Sequence, residues 1–142
     1  MLAAAIISSG LALSPIPQDH IWTSVLSPPF EHVEVAALRY RPDPADADVK
    51  HRPLATLNSG GGDCEDLAIA TYHSLRLSGM PADQVFVMVG YLYPGGWHAV
   101  VAMRDSNGGW RFIDPTGRIH RDTMRPLFMV NERGSYLVTR TS

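Results

Sequence analysis

The chain predicts an α+β fold in which one central helix is followed by an antiparallel β-meander. Three features carry this expectation. A capped, broadly apolar stretch follows a run of glycines, the pattern then switches to short β-branched and aromatic runs, and turn residues separate those runs at close intervals. At 142 residues, against about 150 per domain, residues 1–142 are expected to form a single domain.

In chain order, Met1 to Leu13 (MLAAAIISSGLAL) is apolar and too short to cross a bilayer. It reads either as a first core helix or as the hydrophobic region of an export signal, although no Lys or Arg precedes it and no A-x-A site follows. Cleavage of such a signal would leave a mature chain starting near Ser14 to Gln18. No other segment is long and apolar enough for a membrane. Residues 14–30 hold four of the eleven prolines and are expected to be extended or loop-like. Val33, Ala36, Ala37 and Tyr40 are spaced for one face of a short helix within Phe30 to Tyr40. Arg41 to Asp48 (RPDPADAD) is a turn-rich connector.

Ser59-Gly60-Gly61-Gly62-Asp63 is expected to be a flexible loop delivering a helix from about Cys64 to Ser78. Asp63 is a good N-cap, Glu65 and Asp66 suit the positive first turn, and Gly79 with Pro81 ends the helix. Val85 to Leu92, Trp97 to Met103 and Trp110 to Asp114 read as three strands, joined by turns at Tyr93-Pro94-Gly95-Gly96 and Ser106-Asn107-Gly108-Gly109. Val130 to Thr139 reads as a final hairpin around Asn131-Glu132-Arg133-Gly134.

Charge and cysteine content narrow the function. The net charge is −2, Lys50 is the one lysine, and the arginines gather loosely at Arg111, Arg118, Arg121, Arg125 and Arg133. A nucleic-acid binder of this size would be basic on one face, so nucleic acid is not the expected partner. A single cysteine excludes an intrachain disulfide and a multi-cysteine zinc site. A lone cysteine is usually an inert small apolar residue, so its setting has to argue otherwise.

That setting is specific. Cys64 stands at the first turn of the central helix, where the dipole and unpaired N–H groups favour a thiolate. His98 opens the second strand and Asp114 ends the third. In a meander, the beginning of one strand and the end of the next are cross-strand neighbours. A helix N-terminus facing that end of the sheet would complete a Cys64–His98–Asp114 triad: the sulfur attacks, the imidazole moves the proton, the carboxylate orients the imidazole. His20, His32, His51, His73 and His120 have no comparable setting. Asp63, Glu65 and Asp66 crowd the nucleophile with negative charge, which would raise its pKa. Either Asp63 caps the helix while Glu65 and Asp66 face solvent or arginines, or some of the three hold a hard cation.

Gly62-Asp63-Cys64-Glu65-Asp66-Leu67-Ala68-Ile69-Ala70 resembles the G-D-C-E-D-[YL]-A block of bacterial transglutaminase-like cysteine peptidases, the LapG-like proteins. Trp97-His98-Ala99-Val100-Val101 and Trp110-Arg111-Phe112-Ile113-Asp114 resemble their histidine and acidic strands. The resemblance covers about residues 55–117. It implies a papain-like, transglutaminase-like core, hydrolysis of an amide bond in a protein or peptide, and an exported rather than cytoplasmic or virion-associated protein. Calcium dependence is also implied, with Asp63 and Glu65 as ligands and Asp66 as a third. Pro115 stands where those peptidases usually have Asn, and the chain is shorter than they are, which sets it apart from an adhesin-type substrate.

The same triad would also serve a cell-wall amidase or endopeptidase, or a transglutaminase, and the same fold serves non-catalytic peptide-binding modules. Nothing in the sequence specifies an oligomeric state. An oxyanion hole needs donors: the backbone N–H of Cys64 is one, and the upstream side-chain candidates are Asn58 and the indole of Trp22. Trp97, beside the histidine, is read as a cleft wall or a core residue.

Overall fold

The computed structural model describes residues 6–8, 10–42, 49–92, 96–117 and 124–140. The connector over 43–48, the turn residues 93–95, and Arg118, His120 and Arg121 lie outside them. Strands β1 (Ile6–Ser8), β2 (Leu11–Ile16), β5 (Val85–Leu92), β6 (Gly96–Arg104), β7 (Trp110–Ile113), β8 (Met124–Asn131) and β9 (Gly134–Arg140) build one sheet in the order β1-β7-β6-β5-β8-β9-β2. All its pairings are antiparallel. The meander over β5, β6 and β7 is as expected. The following strand, β8, crosses back to pair with the free side of β5, and the final hairpin continues from there.

The two outer strands of this sheet, β1 and β2, are separated in sequence by residues 9 and 10 alone. Three Cα–Cα steps reach at most about 11 Å. The sheet must therefore curl until its two edges lie side by side, as in a barrel. Each face of the curled sheet has its own apolar cluster. Phe86, Met88, Val100, Ala102, Trp110, Met129 and Val138 form one, with Leu11, Leu13 and Phe112 against it. Val85, Val87, Val89, Ala99 and Val101 belong to the other, alternating along the same strands with the first set. This second cluster is covered by helix α3 (Cys64–Leu77), through Ala68, Ile69 and Tyr72, and by helix α1 (His20–Leu26), through Trp22, Val25 and Leu26. The chain is thus an α+β fold with a central helix, bearing Cys64 at its N-terminus, packed on an antiparallel sheet.

Four expectations change. Residues 6–8 and 11–16 are strands, so the first core helix expected in Met1 to Leu13 does not form there. Leu11 and Leu13 alternate into a cluster while Leu11–Ile16 pairs with β9 over six residues, and a cut near Ser14 to Gln18 would fall within or just after β2. Residues 14–30 are not all loop, because α1 occupies the proline-free stretch between Pro17 and Pro28. Asp19 caps it by accepting from the Ile21 and Trp22 amides at 3.0 and 3.2 Å.

Phe30 to Tyr40 holds the 3-10 turn Val35–Ala37 in place of a helix, because one residue further on Arg39 and Tyr40 are taken into a strand, β3 (Arg39–Tyr40). The glycine run, finally, is held in place. Gly61–Gly62 forms β4, paired in parallel with β3. Gly61 has φ +145 and a Cβ there would strike the Arg39 carbonyl, while a Cβ on Gly62 would strike the Asp66 side chain. Glycine is required by this close approach. The short helix α2 (Pro53–Asn58), which the sequence reading passed over, begins with proline in its first turn and leads into this strand.

Candidate active site

Asp63 starts α3 in an extended conformation and accepts the Asp66 amide at 3.0 Å, so Cys64 becomes the first helical residue. Cys64 is partly buried and packs against the cluster containing Trp22 and Ala99. The amide N–H of Ala99 donates to its sulfur. The nucleophile candidate therefore lies against strand β6, one residue beyond His98.

His98 and Asp114 meet as the meander requires. Val101 faces Ile113 in the β6–β7 register, which carries Asp114 toward the start of β6. His98 Nε2 lies 2.7 Å from Asp114 Oδ2, with the two side chains 5% and 3% exposed. An ionised carboxylate only accepts, so Nε2 donates and Nδ1 is the ring nitrogen not engaged by Asp114. The other carboxylate oxygen is occupied as well. Asp114 Oδ1 accepts the Thr116 amide at 2.9 Å and its hydroxyl at 2.6 Å. Burial raises the Asp114 pKa, but the bonds from His98 and Thr116 outweigh it and hold the carboxyl below its ordinary value. Thr116 was missed in the sequence reading. The signal was present in Asp114-Pro115-Thr116-Gly117, an Asx-type turn in which an aspartate accepts from the residue two further on.

Of the two opposing influences expected on Cys64, the helix terminus and the flanking acids, the acids act together with burial. Burial pushes its thiol up to about 12, and the charges of Asp63, Glu65 and Asp114 push the same way against the Ala99 amide. At rest the group is a thiol, since one helix terminus does not offset burial among carboxylates.

Glu65 and Asp66, expected to face solvent or arginines, are instead largely shielded and meet Lys50 and His51. Asp66 is buried, accepting the His51 amide at 2.8 Å through Oδ1 and lying 3.2 Å from His51 Nδ1 through Oδ2. Glu65 Oε2 lies 3.3 Å from Lys50 Nζ. Asp63 caps the helix, as one of the two readings held. Among the described residues no group of three or more His, Cys, Asp or Glu side chains converges as a metal site.

Of the upstream oxyanion candidates, Trp22 shares the buried cluster that Cys64 packs against, whereas Asn58 is exposed at the end of α2. Trp97 is not a core residue: it is 65% exposed and lies edge-on to Tyr91, with ring centres 6.1 Å apart. His73 is structural. Its buried ring bonds the Val25 carbonyl through Nε2 at 2.7 Å and accepts the Glu31 amide through Nδ1 at 3.0 Å, tying α3 to the segment after α1.

The model of the transglutaminase-like superfamily matches residues 30–115. Among solved structures, calcium-bound Legionella pneumophila LapG superposes with a TM-score of 0.66 at 27% identity, over 76% of this chain and 66% of that one. A second structure of Legionella pneumophila LapG gives 0.64 at 26% over 72% and 62%, and the EGTA-treated form 0.65 at 26% over 72% and 61%. The chain thus spans a little under two thirds of the length of these LapG chains. No curated protein matches it.

Proposed function

The chain belongs to the transglutaminase-like superfamily, and from that premise we propose that it is a cysteine-dependent hydrolase of peptide amide bonds, with Cys64, His98 and Asp114 as its triad. One observation carries the proposal. A doubly buried histidine–aspartate pair at 2.7 Å stands one residue from the Ala99 amide that reaches the Cys64 sulfur. A merely structural histidine needs no carboxylate fixed at both oxygens behind it. The reading takes residues 1–142 as one catalytic domain, supported by a single sheet that joins residue 6 to residue 140.

The high thiol pKa sets the order of events. A lone thiolate is penalised here, so Cys64 attacks as a thiol and loses its proton as the new bond forms. Its sulfur adds to the substrate carbonyl carbon while the proton passes to His98 Nδ1. The imidazolium so formed is stabilised by Asp114. The oxyanion takes the backbone N–H of Cys64, with Trp22 as the favoured upstream donor over Asn58. The tetrahedral species collapses to a thioester, expelling the amine, which receives the proton from His98. Water then adds to the thioester with His98 as base, releasing the acid and restoring the thiol.

LapG has a calcium-bound form, and Asp63, Glu65 and Asp66 are the residues through which the resemblance brings calcium to this chain. Their donor set does not fit an ion as it stands. Asp63 accepts a helix amide, both Asp66 oxygens face His51, and Glu65 faces an ammonium group. Calcium takes six to eight oxygen ligands, and no step above runs through it.

Sequencing of protein termini in cells with the wild-type chain or Cys64→Ala tests the proposal. New termini that depend on Cys64 support a peptidase. Cross-linked glutamine–lysine products instead of termini would make it a transglutaminase, altered cell-wall fragments an amidase, and identical samples a binding module. Export, which the resemblance implies, is read by mass spectrometry of the native protein from fractionated cells.

A further inference from the structure

The head of α3 places three carboxylates within two residues of the nucleophile, yet two consecutive residues from a distant stretch of chain meet two of them. Lys50 is the one lysine in the sequence. Its ammonium lies 3.3 Å from Glu65 Oε2, with the two side chains only 13% and 19% exposed. The same ammonium stands 5.0 Å above the centre of the buried Trp22 ring, a favourable site for a cation. His51, the next residue, gives its amide to Asp66 at 2.8 Å and sets its ring against the other oxygen. The third acid is used by the helix itself.

We infer that Lys50 is a tethered counterion that takes the place of a bound divalent cation at the acidic turn, so that this chain holds its site together without calcium. A divalent ion entering beside Glu65 would have to displace an ammonium already held by that carboxylate and by the Trp22 face, and would find the Asp66 oxygens committed to His51. A charge carried on the chain also gives up no association entropy on each encounter, unlike a free ion. The inference goes beyond the peptidase reading and does not require it, since every test below reads stability or ion binding and none reads cleavage.

The first experiment is thermal melting of the wild-type chain in EGTA, in 1 mM calcium and in 1 mM magnesium, with calorimetric titration of calcium. The midpoint should stay within about 1 °C across the three and no heat of binding should appear. A site with a dissociation constant near 10 µM would raise the midpoint by about 8 °C at that calcium concentration, and such a rise would overturn the inference. The second is a cycle over Lys50→Gln, Glu65→Gln and the double variant. Each single variant removes one member of a charge pair that is largely shielded from water, so each should melt several degrees lower, while the double variant should melt no lower than the worse single. Lys50→Arg should stay closer to wild type than Lys50→Gln. Additive losses, or a Lys50→Gln chain that melts like the wild type, would show that the ammonium does not answer the acid and would equally overturn it.

Discussion

His98 and Asp114 meet at 2.7 Å with both side chains almost fully buried, whereas His51 and Asp66 meet at 3.2 Å with the aspartate buried and the imidazole 42% exposed. In each pair a carboxylate accepts from an amide as well as from the ring. The difference lies in what the imidazole is free to do. Buried on strand β6, His98 is held in one tautomer beside the amide that reaches Cys64. Half in water and on a connecting segment, His51 is fixed mainly through its backbone, and its ring adds a weak second bond. Residue types alone would make the two pairs equal; burial and the neighbouring strand separate them.

The largest effects should fall on Cys64 and on the first pair. Cys64→Ala and His98→Ala should each lower turnover by at least about 10⁴-fold with the fold retained, measured as cleavage rate alongside circular dichroism. Asp114→Asn keeps the shape but disturbs the tautomer, so kcat should fall by about 10²- to 10⁴-fold. Full activity in Asp114→Ala would make this carboxylate structural and collapse the contrast. Asp66→Asn should act on stability, by about 1–3 kcal/mol in urea unfolding, because the buried amide keeps one acceptor oxygen where the carboxylate offered two to the His51 amide and ring. His51→Ala should cost less than about 1 kcal/mol, since its ring is well exposed and screened.

Stability at high pH distinguishes the thiol from both pairs. The Cys64 pKa in the fold, about 12, lies above the ordinary 9.0. The protonated thiol is therefore favoured by folding. Its contribution is complete below about pH 9 and is lost as pH rises from there toward 12. Urea unfolding from pH 8 to about pH 11 should show stability declining more steeply in the wild type than in Cys64→Ala. Tyr72, whose hydroxyl burial also pushes up, declines equally in both and cancels in the comparison. Parallel curves would mean that Cys64 titrates as it does in the unfolded chain.

The first pair was legible in the sequence and the second was not, for a physical reason. Trp97 to Met103 and Trp110 to Asp114 are consecutive strands, so local alternation and a short turn are enough to bring Asp114, one step past the Val101–Ile113 pair, diagonally within reach of His98. The cap at Asp63 and the bounds of α3 are likewise local. Lys50 and His51 reach Glu65 and Asp66 across fifteen residues that include α2 and the glycine strand, and no periodicity encodes such a meeting. The return of β8 to β5, and the joining of β1 and β2 around the curled sheet, are choices of the whole fold for the same reason. Burial was the other hidden quantity. A helix start argues for a thiolate and the flanking acids argue against it; the burial of Cys64, the largest cause of its raised pKa, and the approach of Asp114 are visible only in the fold.

The most direct test of the catalytic assignment is covalent capture of Cys64 by a peptide-like electrophile that mimics a scissile carbonyl, followed by intact-mass spectrometry near neutral pH. Because the resting group is a thiol, capture should depend on proton transfer to His98 and not on a free thiolate. The account predicts labelling of the wild type and of His51→Ala at similar rates, and loss of labelling in His98→Ala. Equal labelling of His98→Ala, or none in the folded wild type, would contradict it.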